Sequence, residues 1–334
     1  MADDTLEMIR ETARLVLGNV RRQQRDEEAD INRRLEHLRL SNKSVVDIAK
    51  NLKSKSVTVQ ELRTLRHSLG EEHNIDIVLS EQGALKGLVR ELTGHDSKKQ
   101  SEAAMCFCNL AMGDKKACEA IVRCAGIYIV ALLDSLDAQL CLVAAWTIVN
   151  LAGSGYKTSA YLTAQGAIPK LVHLMMSGCN ADIKKEATRG LIQLNIALRS
   201  SLRQEHLTKI MTALFETDIT AETARLMFIL TCHKNFKVDE VPTKYREKLL
   251  TNLSVKIDEN FLEISDEVLF TIRIFANLQD AAFYGQLVDY FQENLGIIVR
   301  LLESCIAHDS ILWLLGNIDQ YHEDKMITLI NQLS

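Results

Sequence analysis

Tryptophan and asparagine recur at a fixed spacing in this 334-residue chain, and together they could bind an extended peptide. Tryptophan stands four residues before asparagine at Trp146 and Asn150, and again at Trp313 and Asn317. Residues i and i+4 lie on one face of a helix. An asparagine amide offers a hydrogen-bond donor and an acceptor, which match the unpaired groups of an extended backbone. The tryptophan ring offers a π face to a lysine or arginine stem.

The same pattern returns in weaker form about every 42 residues. We call the asparagine of each copy, or its equivalent, the landmark residue. The seven landmarks are Ser68, Asn109, Asn150, Gln193, Ile229, Asn277 and Asn317. The candidate peptide-binding residues are Met105, Asn109, Trp146, Asn150, Arg189, Gln193, Arg273, Asn277, Trp313 and Asn317. The alternative interpretation is that each tryptophan is a core residue and each asparagine a cap or a solvent-facing residue.

A period of this length predicts a stack of similar helical units. A second landmark, a glycine followed by an apolar run, keeps step with the first at Gly83, Gly126, Gly166 and Gly296. Glycine suits a sharp corner between two helices, and Pro169 suits the first turn of the helix that follows. We therefore expect about seven repeats of three helices each. Around Pro242 the spacing becomes irregular, which predicts a longer loop or an irregular unit there.

The composition agrees with an all-α protein and excludes several functions. Proline occurs twice and aromatic residues make up 5% of the chain, so strand-forming signals are few. The net charge of −5 argues against nucleic-acid binding. We find no enzyme motif, no cofactor or metal spacing, no membrane span and no secretory signal. Eight cysteines are expected to be reduced core thiols of an intracellular protein: Cys106, Cys108, Cys118, Cys124, Cys141, Cys179, Cys232 and Cys305.

Residues 1–41 differ from the rest of the chain. Apolar residues recur there at helical spacing, and a run of mixed charge without glycine or proline follows. This pattern predicts a long solvated helix that ends near Ser41 and precedes the repeats of residues 42–334. Its arginines include Arg21, Arg22, Arg25, Arg33 and Arg34.

The chain resembles armadillo-repeat proteins, and among those importin-alpha, of which it would be a short and divergent member. The resemblance rests on residues 145–155, 165–172 and 313–318 and extends over about residues 43–334. It implies a right-handed α-α superhelix whose concave groove carries the landmark asparagines. It also implies nuclear import of protein cargo, and residence in cytoplasm and nucleus. Importin-alpha proteins begin with a basic segment that binds importin-beta, which gives the arginines of residues 21–34 a possible carrier-binding role. The alternative is that this balanced helix caps the first repeat.

The sequence departs from the importin-alpha pattern in its middle. Arg189, Arg225 and Arg273 stand where the family has tryptophan. These arginines would make the middle of the groove basic, so that it would favour acidic residues or another cargo. Two functions therefore remain open: a transport adaptor that binds a cargo peptide and a carrier, and an armadillo scaffold that assembles a protein complex without a transport cycle.

Overall fold

The computed structural model describes residues 42–177, 180–259 and 264–333, with side chains described from Val45 onward except at 255–263. Residues 1–41, with their candidate carrier-binding arginines, lie outside the described residues. The predicted boundary between an N-terminal arm and the repeats therefore stays a prediction. Within the described ranges all regular structure is helical.

The described residues form eighteen α-helices. The first nine are α1 Asn42–Ser54, α2 Val59–Ser68, α3 Glu72–Ser80, α4 Ala84–Leu92, α5 Ser97–Leu110, α6 Lys115–Ala131, α7 Ala138–Gly153, α8 Tyr156–Ala164 and α9 Ala167–Met176. The others are α10 Ala181–Ala197, α11 Gln204–Glu216, α12 Ala221–Thr231, α13 Thr243–Glu259, α14 Asp266–Leu278, α15 Ala281–Glu293, α16 Leu295–Glu303, α17 His308–Asp319 and α18 Glu323–Leu333.

Side-chain caps fix where several of these helices begin. The carboxylates of Asp96, Asp114 and Asp137 accept backbone N–H groups at the starts of α5, α6 and α7. At α2, Thr58 and Glu61 form a reciprocal capping box. Such caps satisfy N–H groups that the first helical turn leaves without a partner.

The chain divides into two compact units. The first holds the described residues up to Leu174 together with 180–186, and the second holds 175–177 and the described residues from Ala187 onward. In the first unit the long helices α2, α5 and α7 pack in sequence, while α1 packs on α4 and α6 on α8. Its core is built from aliphatic residues such as Leu62, Leu88 and Ile148, all fully buried.

The second unit repeats this arrangement with its own helices. Helix α12 packs on α14 and α14 packs on α17, while α15 packs on α18. Phe275, Tyr284 and Phe291 are among its largest fully buried side chains. In both units a helix thus covers the apolar face of the equivalent helix in the preceding repeat, as expected for a repeat protein.

The seven landmarks all fall in equivalent helices. Three of these helices, α2, α5 and α7, lie in the first unit. The other four landmarks lie on α10, α12, α14 and α17, at positions that belong to the second unit. The prediction of an all-α repeat fold is therefore confirmed, and each landmark lies in the last helix of its repeat. Among the described residues, the expected three helices are present in the repeats formed by α3–α5, α8–α10 and α15–α17, and the other repeats have fewer.

Glycine marks a corner at two of the four predicted places. Gly83 and Gly166 have φ values of +98° and +85° and stand directly before α4 and α9, as predicted. The predicted break at Gly126 is wrong, because Gly126 lies inside the continuous helix α6. Gly296 lies within the first turn of α16, and Asn294 occupies the N-cap position of that helix without a side-chain capping bond.

Two of the helical repeats lack a regular first helix. Only turns separate α10 from α11, and between α12 and α13 the chain forms turns and one short 3-10 segment at Val238–Glu240. The irregular region expected around Pro242 is thus present. None of the helices in the described part of the chain combines the length and apolar character that a membrane span requires.

The described cysteines carry free thiols in different surroundings. Cys106, Cys108, Cys118 and Cys141 are buried, as predicted. Cys124 and Cys232 are half-buried, and Cys179 lies outside the described residues. Cys305 is exposed, so its assignment to the core is wrong.

Candidate functional site

The landmark asparagines of the first unit bond to the preceding repeat. Asn109 Nδ2 on α5 donates to the carbonyl oxygen of Arg66 on α2 at 2.9 Å. Asn150 Nδ2 on α7 donates to the carbonyl oxygen of Cys108 on α5 at 3.2 Å. Asn109 is buried and Asn150 is half-buried.

The second unit repeats this contact. Asn317 Nδ2 on α17 donates to the carbonyl oxygen of Ala276 on α14 at 2.9 Å. Asn277 Nδ2 on α14 donates to Thr231 Oγ1 at the end of α12, also at 2.9 Å. The fourth landmark, Gln193, is buried on α10.

The bonded carbonyl groups lie in the last turn of a helix. The last four carbonyl groups of an α-helix have no partner within that helix. Arg66, Cys108 and Ala276 all belong to such a last turn. Asn109, Asn150 and Asn317 therefore each cap the end of the neighbouring helix and fix the register between two repeats. The amide nitrogen that could have bound a peptide carbonyl already has a partner within the protein.

The residues four positions before the landmark, here position −4, lie on the same helical face. Met105 and Trp146 are half-buried in the first unit. Trp313 is 41% exposed in the second unit. Asn150 and Asn317 are half-buried beside their tryptophans, so both Trp–Asn pairs retain accessible surface. The structure thus places the predicted peptide-binding residues in pairs on five of the landmark-bearing helices, α5, α7, α10, α14 and α17.

The arginines at position −4 reach toward the next repeat. Arg189 Nη2 on α10 lies 3.3 Å from Glu222 Oε1 on α12. Arg273 Nε on α14 donates to Ser310 Oγ on α17 at 3.0 Å. Glu222 and Ser310 both stand seven residues before the landmark of their own repeat, which we call position −7. Position −4 of one repeat therefore contacts position −7 of the next.

Arg225 is the exception, because position −7 of the following repeat is Phe270. Its guanidinium carbon lies 5.8 Å from the centre of the Phe270 ring. Arg273 lies 5.6 Å from the same ring and 6.0 Å from that of Phe228. The two rings are themselves 5.9 Å apart. Two cations thus meet at one pair of aromatic rings.

The surroundings of Arg225 disfavour its charge. Burial lowers the pKa of the Arg225 guanidinium, and the positive charges of Arg189 and Arg273 lower this pKa further. Asp266 and Glu222 oppose that effect. An arginine nevertheless stays protonated at neutral pH. The site is therefore a half-buried cation whose charge the protein compensates incompletely.

The sequence analysis did not single out Phe228 and Phe270, or position −7. The sequence did contain the evidence for position −7, because on a helix of 3.6 residues per turn this position faces the same side as position −4 and the landmark. Among the residues that the structure describes, no cluster of three or more His, Cys, Asp or Glu side chains could hold a metal ion. The chemistry that this face offers is non-covalent binding through aromatic rings, amides and guanidinium groups.

No family model matches the chain. Importin subunit alpha-9 from Arabidopsis thaliana is 28% identical over 131 residues, which is 39% of this chain and 25% of that protein. The matched region thus spans about a quarter of the relative's length.

Solved structures share the fold. A crystal structure described as an engineered protein has a TM-score of 0.64 and 23% identity, covering 82% of this chain and 68% of its own. A designed armadillo repeat protein in complex with a (KR)4 peptide has a TM-score of 0.47 and 18% identity, covering 82% of this chain and 99% of its own. Together with the helical repeat described above, the first likeness confirms the predicted armadillo-type α solenoid. The predicted resemblance to armadillo-repeat proteins is confirmed at the level of the fold, and the sequence match supports a relationship to importin-alpha-like proteins.

Proposed function

We propose that this chain is a protein-binding adaptor that holds a linear peptide or partner segment along the landmark-bearing helices. The observation that carries the proposal is the accessible Trp–Asn pair, which occurs once in each of the two compact units, on equivalent helices. Inter-repeat bonds hold the asparagine in place beside each ring, and a tryptophan side chain has only two rotatable bonds to immobilise. A rigid aromatic surface binds a ligand with a small loss of side-chain entropy.

We further propose that the bound segment belongs to cargo for nuclear import, and that the protein works in cytoplasm and nucleus. The support is the partial similarity to an importin alpha subunit and the arginines of residues 21–34. In this proposal those arginines bind importin-beta. The candidate groove residues remain Met105, Asn109, Trp146, Asn150, Arg189, Gln193, Arg273, Asn277, Trp313 and Asn317.

Peptide binding can be tested with a displayed random peptide library selected on the full chain. Replacing a binding anchor typically costs about 2 kcal/mol, so Trp146→Ala should weaken a selected peptide about 30-fold. Tyr161→Ala is the matched control, because Tyr161 is an aromatic residue of the first unit with accessible surface but lies on α8. Equal losses from the two variants, or no selected peptide at all, would contradict the proposal.

The transport role needs a separate test. Purified full chain and a variant without residues 1–41 are compared for binding to importin-beta and for import of a selected cargo into nuclei of permeabilised cells. The proposal expects both activities to require residues 1–41. If the deletion changes neither while peptide binding persists, the alternative of an armadillo scaffold without a transport cycle is favoured.

A further inference from the structure

The contact between position −4 and position −7 divides the arginines of the second unit into two kinds. Arg189 has a carboxylate at position −7 of the next repeat, and Arg273 has a hydroxyl there. Arg225 has only the Phe270 ring at the equivalent place. No carboxylate or hydroxyl group of the described residues lies within hydrogen-bond distance of Arg225. One repeat therefore lacks the acceptor that its two neighbours possess.

An arginine in this position gains by acquiring an external acceptor. A guanidinium offers five N–H donors in a planar fork, and stacking on an aromatic ring leaves its edges available. The ring also removes water from one side, which strengthens an ion pair formed at the edge. Arg273 meets the same ring and adds a second positive charge. A carboxylate between the two would relieve their mutual repulsion.

We propose that Arg225 and Arg273, gathered at the Phe270 ring, bind an aspartate or glutamate side chain from an acidic segment of a protein partner. This inference rests on the proposed function, since it names the kind of peptide that this part of the face accepts. Phe228 and Phe270 are half-buried and supply an apolar surface beside the carboxylate. Charge complementarity is the argument for this occupant, because a basic segment would meet two cations whose charges the protein compensates incompletely.

The acidic residues nearby do not occupy the site themselves. Glu222 pairs with Arg189, as described above. Asp266 lies exposed in the first turn of α14, where an acidic residue favours the helix terminus. It acts on Arg225 through space without lying within ion-pair distance. The face around Phe270 therefore keeps a local excess of positive charge.

The test uses three fluorescein-labelled octapeptides titrated against the full chain by fluorescence anisotropy. One alternates aspartate and glutamate, the second alternates asparagine and glutamine, and the third alternates lysine and arginine. The acidic peptide should bind at least about tenfold tighter than its amide counterpart, since hydrogen bonds to charged groups are the stronger ones. Its affinity should fall as salt is raised.

Substitutions then locate the binding. Arg225→Gln should weaken the acidic peptide about tenfold, as expected for the loss of one charged hydrogen bond. Arg199→Gln is the matched control, because it removes the same charge from an exposed residue in the turn after α10. Phe270→Glu supplies an internal carboxylate at position −7, as Glu222 does for Arg189, and should also weaken the acidic peptide. Circular dichroism checks that each variant is folded.

The outcomes separate this inference from the proposed function. If the amide or basic peptide binds and the acidic one does not, the inference is overturned and peptide binding stands. Equal losses from Arg225→Gln and Arg199→Gln would also overturn the inference, because general charge would then explain the binding. If none of the three octapeptides binds while the displayed library yields a ligand, the inference fails alone. If the library fails as well, the proposed function fails with it.

Discussion

Replacing Asn109 by alanine should loosen the junction between α2 and α5. The carbonyl groups that end α2 can be followed one by one. Leu65 O accepts from Leu69 N, His67 O from Gly70 N and Ser68 O from Glu71 N. In the described residues the Arg66 carbonyl is served by Asn109 Nδ2 alone. An unsatisfied carbonyl costs about 1–3 kcal/mol, so we expect a loss of about 2 kcal/mol.

Because repeats open locally, hydrogen exchange is the suitable measurement. A loss of about 2 kcal/mol should speed amide exchange in the last turn of α2 about 30-fold where exchange follows local opening. Asn109→Asp should be no better than alanine, because a carboxylate has no donor for the carbonyl. Guanidinium unfolding of the same variants gives an independent value.

Asn317→Ala is the matched control. The Ala276 carbonyl that Asn317 bonds also accepts from Tyr284 Oη at 3.0 Å, so it keeps one partner. We expect a loss of only about 0.5–1 kcal/mol there. If both alanine variants lose the same stability, or if Asn109→Asp matches the native protein, the inter-repeat cap does not explain why asparagine stands at the landmark.

Three further predictions concern close packing, a helix cap and thiol reactivity. Gly87→Ala would place a Cβ 1.9 Å from a carbonyl oxygen of α1 and should cost about 3 kcal/mol or more of folding stability. The added Cβ of Gly316→Ala meets nothing within 4 Å, so this variant should gain about 0.5–1 kcal/mol of helix stability. Thermal melts compare the two variants, and similar shifts in melting temperature would refute the packing argument. Asp280 caps α15 and pairs with Arg246, and these contacts hold the pKa of its carboxyl below the ordinary value. The stability that this carboxylate contributes is therefore present above the pKa of the unfolded state and is lost as pH falls. Asp280→Asn should cost about 1–2 kcal/mol of folding stability at neutral pH. If the stability difference between this variant and the native protein stays the same in acid, as measured by denaturation at several pH values, the prediction is contradicted. Cys305 should be the described thiol that iodoacetamide labels first in the native protein, as peptide mass spectrometry can show; faster labelling of a buried thiol would contradict its assigned exposure.

Sequence periodicity predicted the repeats well because each repeat must bury the same face. Asn109, Asn150, Asn277 and Asn317 share a structural role, and their spacing in the sequence follows from it. Even Ile229 could be placed in the equivalent helix, although its repeat has lost the other signals. The period therefore identified the helical face, and the one-dimensional pattern sufficed for this part of the site.

The prediction of a helix break at Gly126 was wrong because glycine has two different uses. Gly83 and Gly166 supply positive φ at a corner. Gly126 instead permits close packing inside α6, where an added Cβ would lie 2.6 Å from Gln165 Oε1. Gln165, which packs against this glycine, stands 39 positions later in the chain, so a local pattern could not distinguish the two uses.

The character of the binding face in the second unit depends on pairs of repeats. Position −4 determines which side chain is presented, and position −7 of the next repeat determines whether that side chain already has a partner. Arg189 is paired by Glu222, while Arg225 meets a phenyl ring and keeps its donors for a ligand. Trp313 needs no partner of this kind, since its ring binds through its face. A single substitution at position −7 can therefore open or close a binding position while the exposed residue at position −4 stays the same.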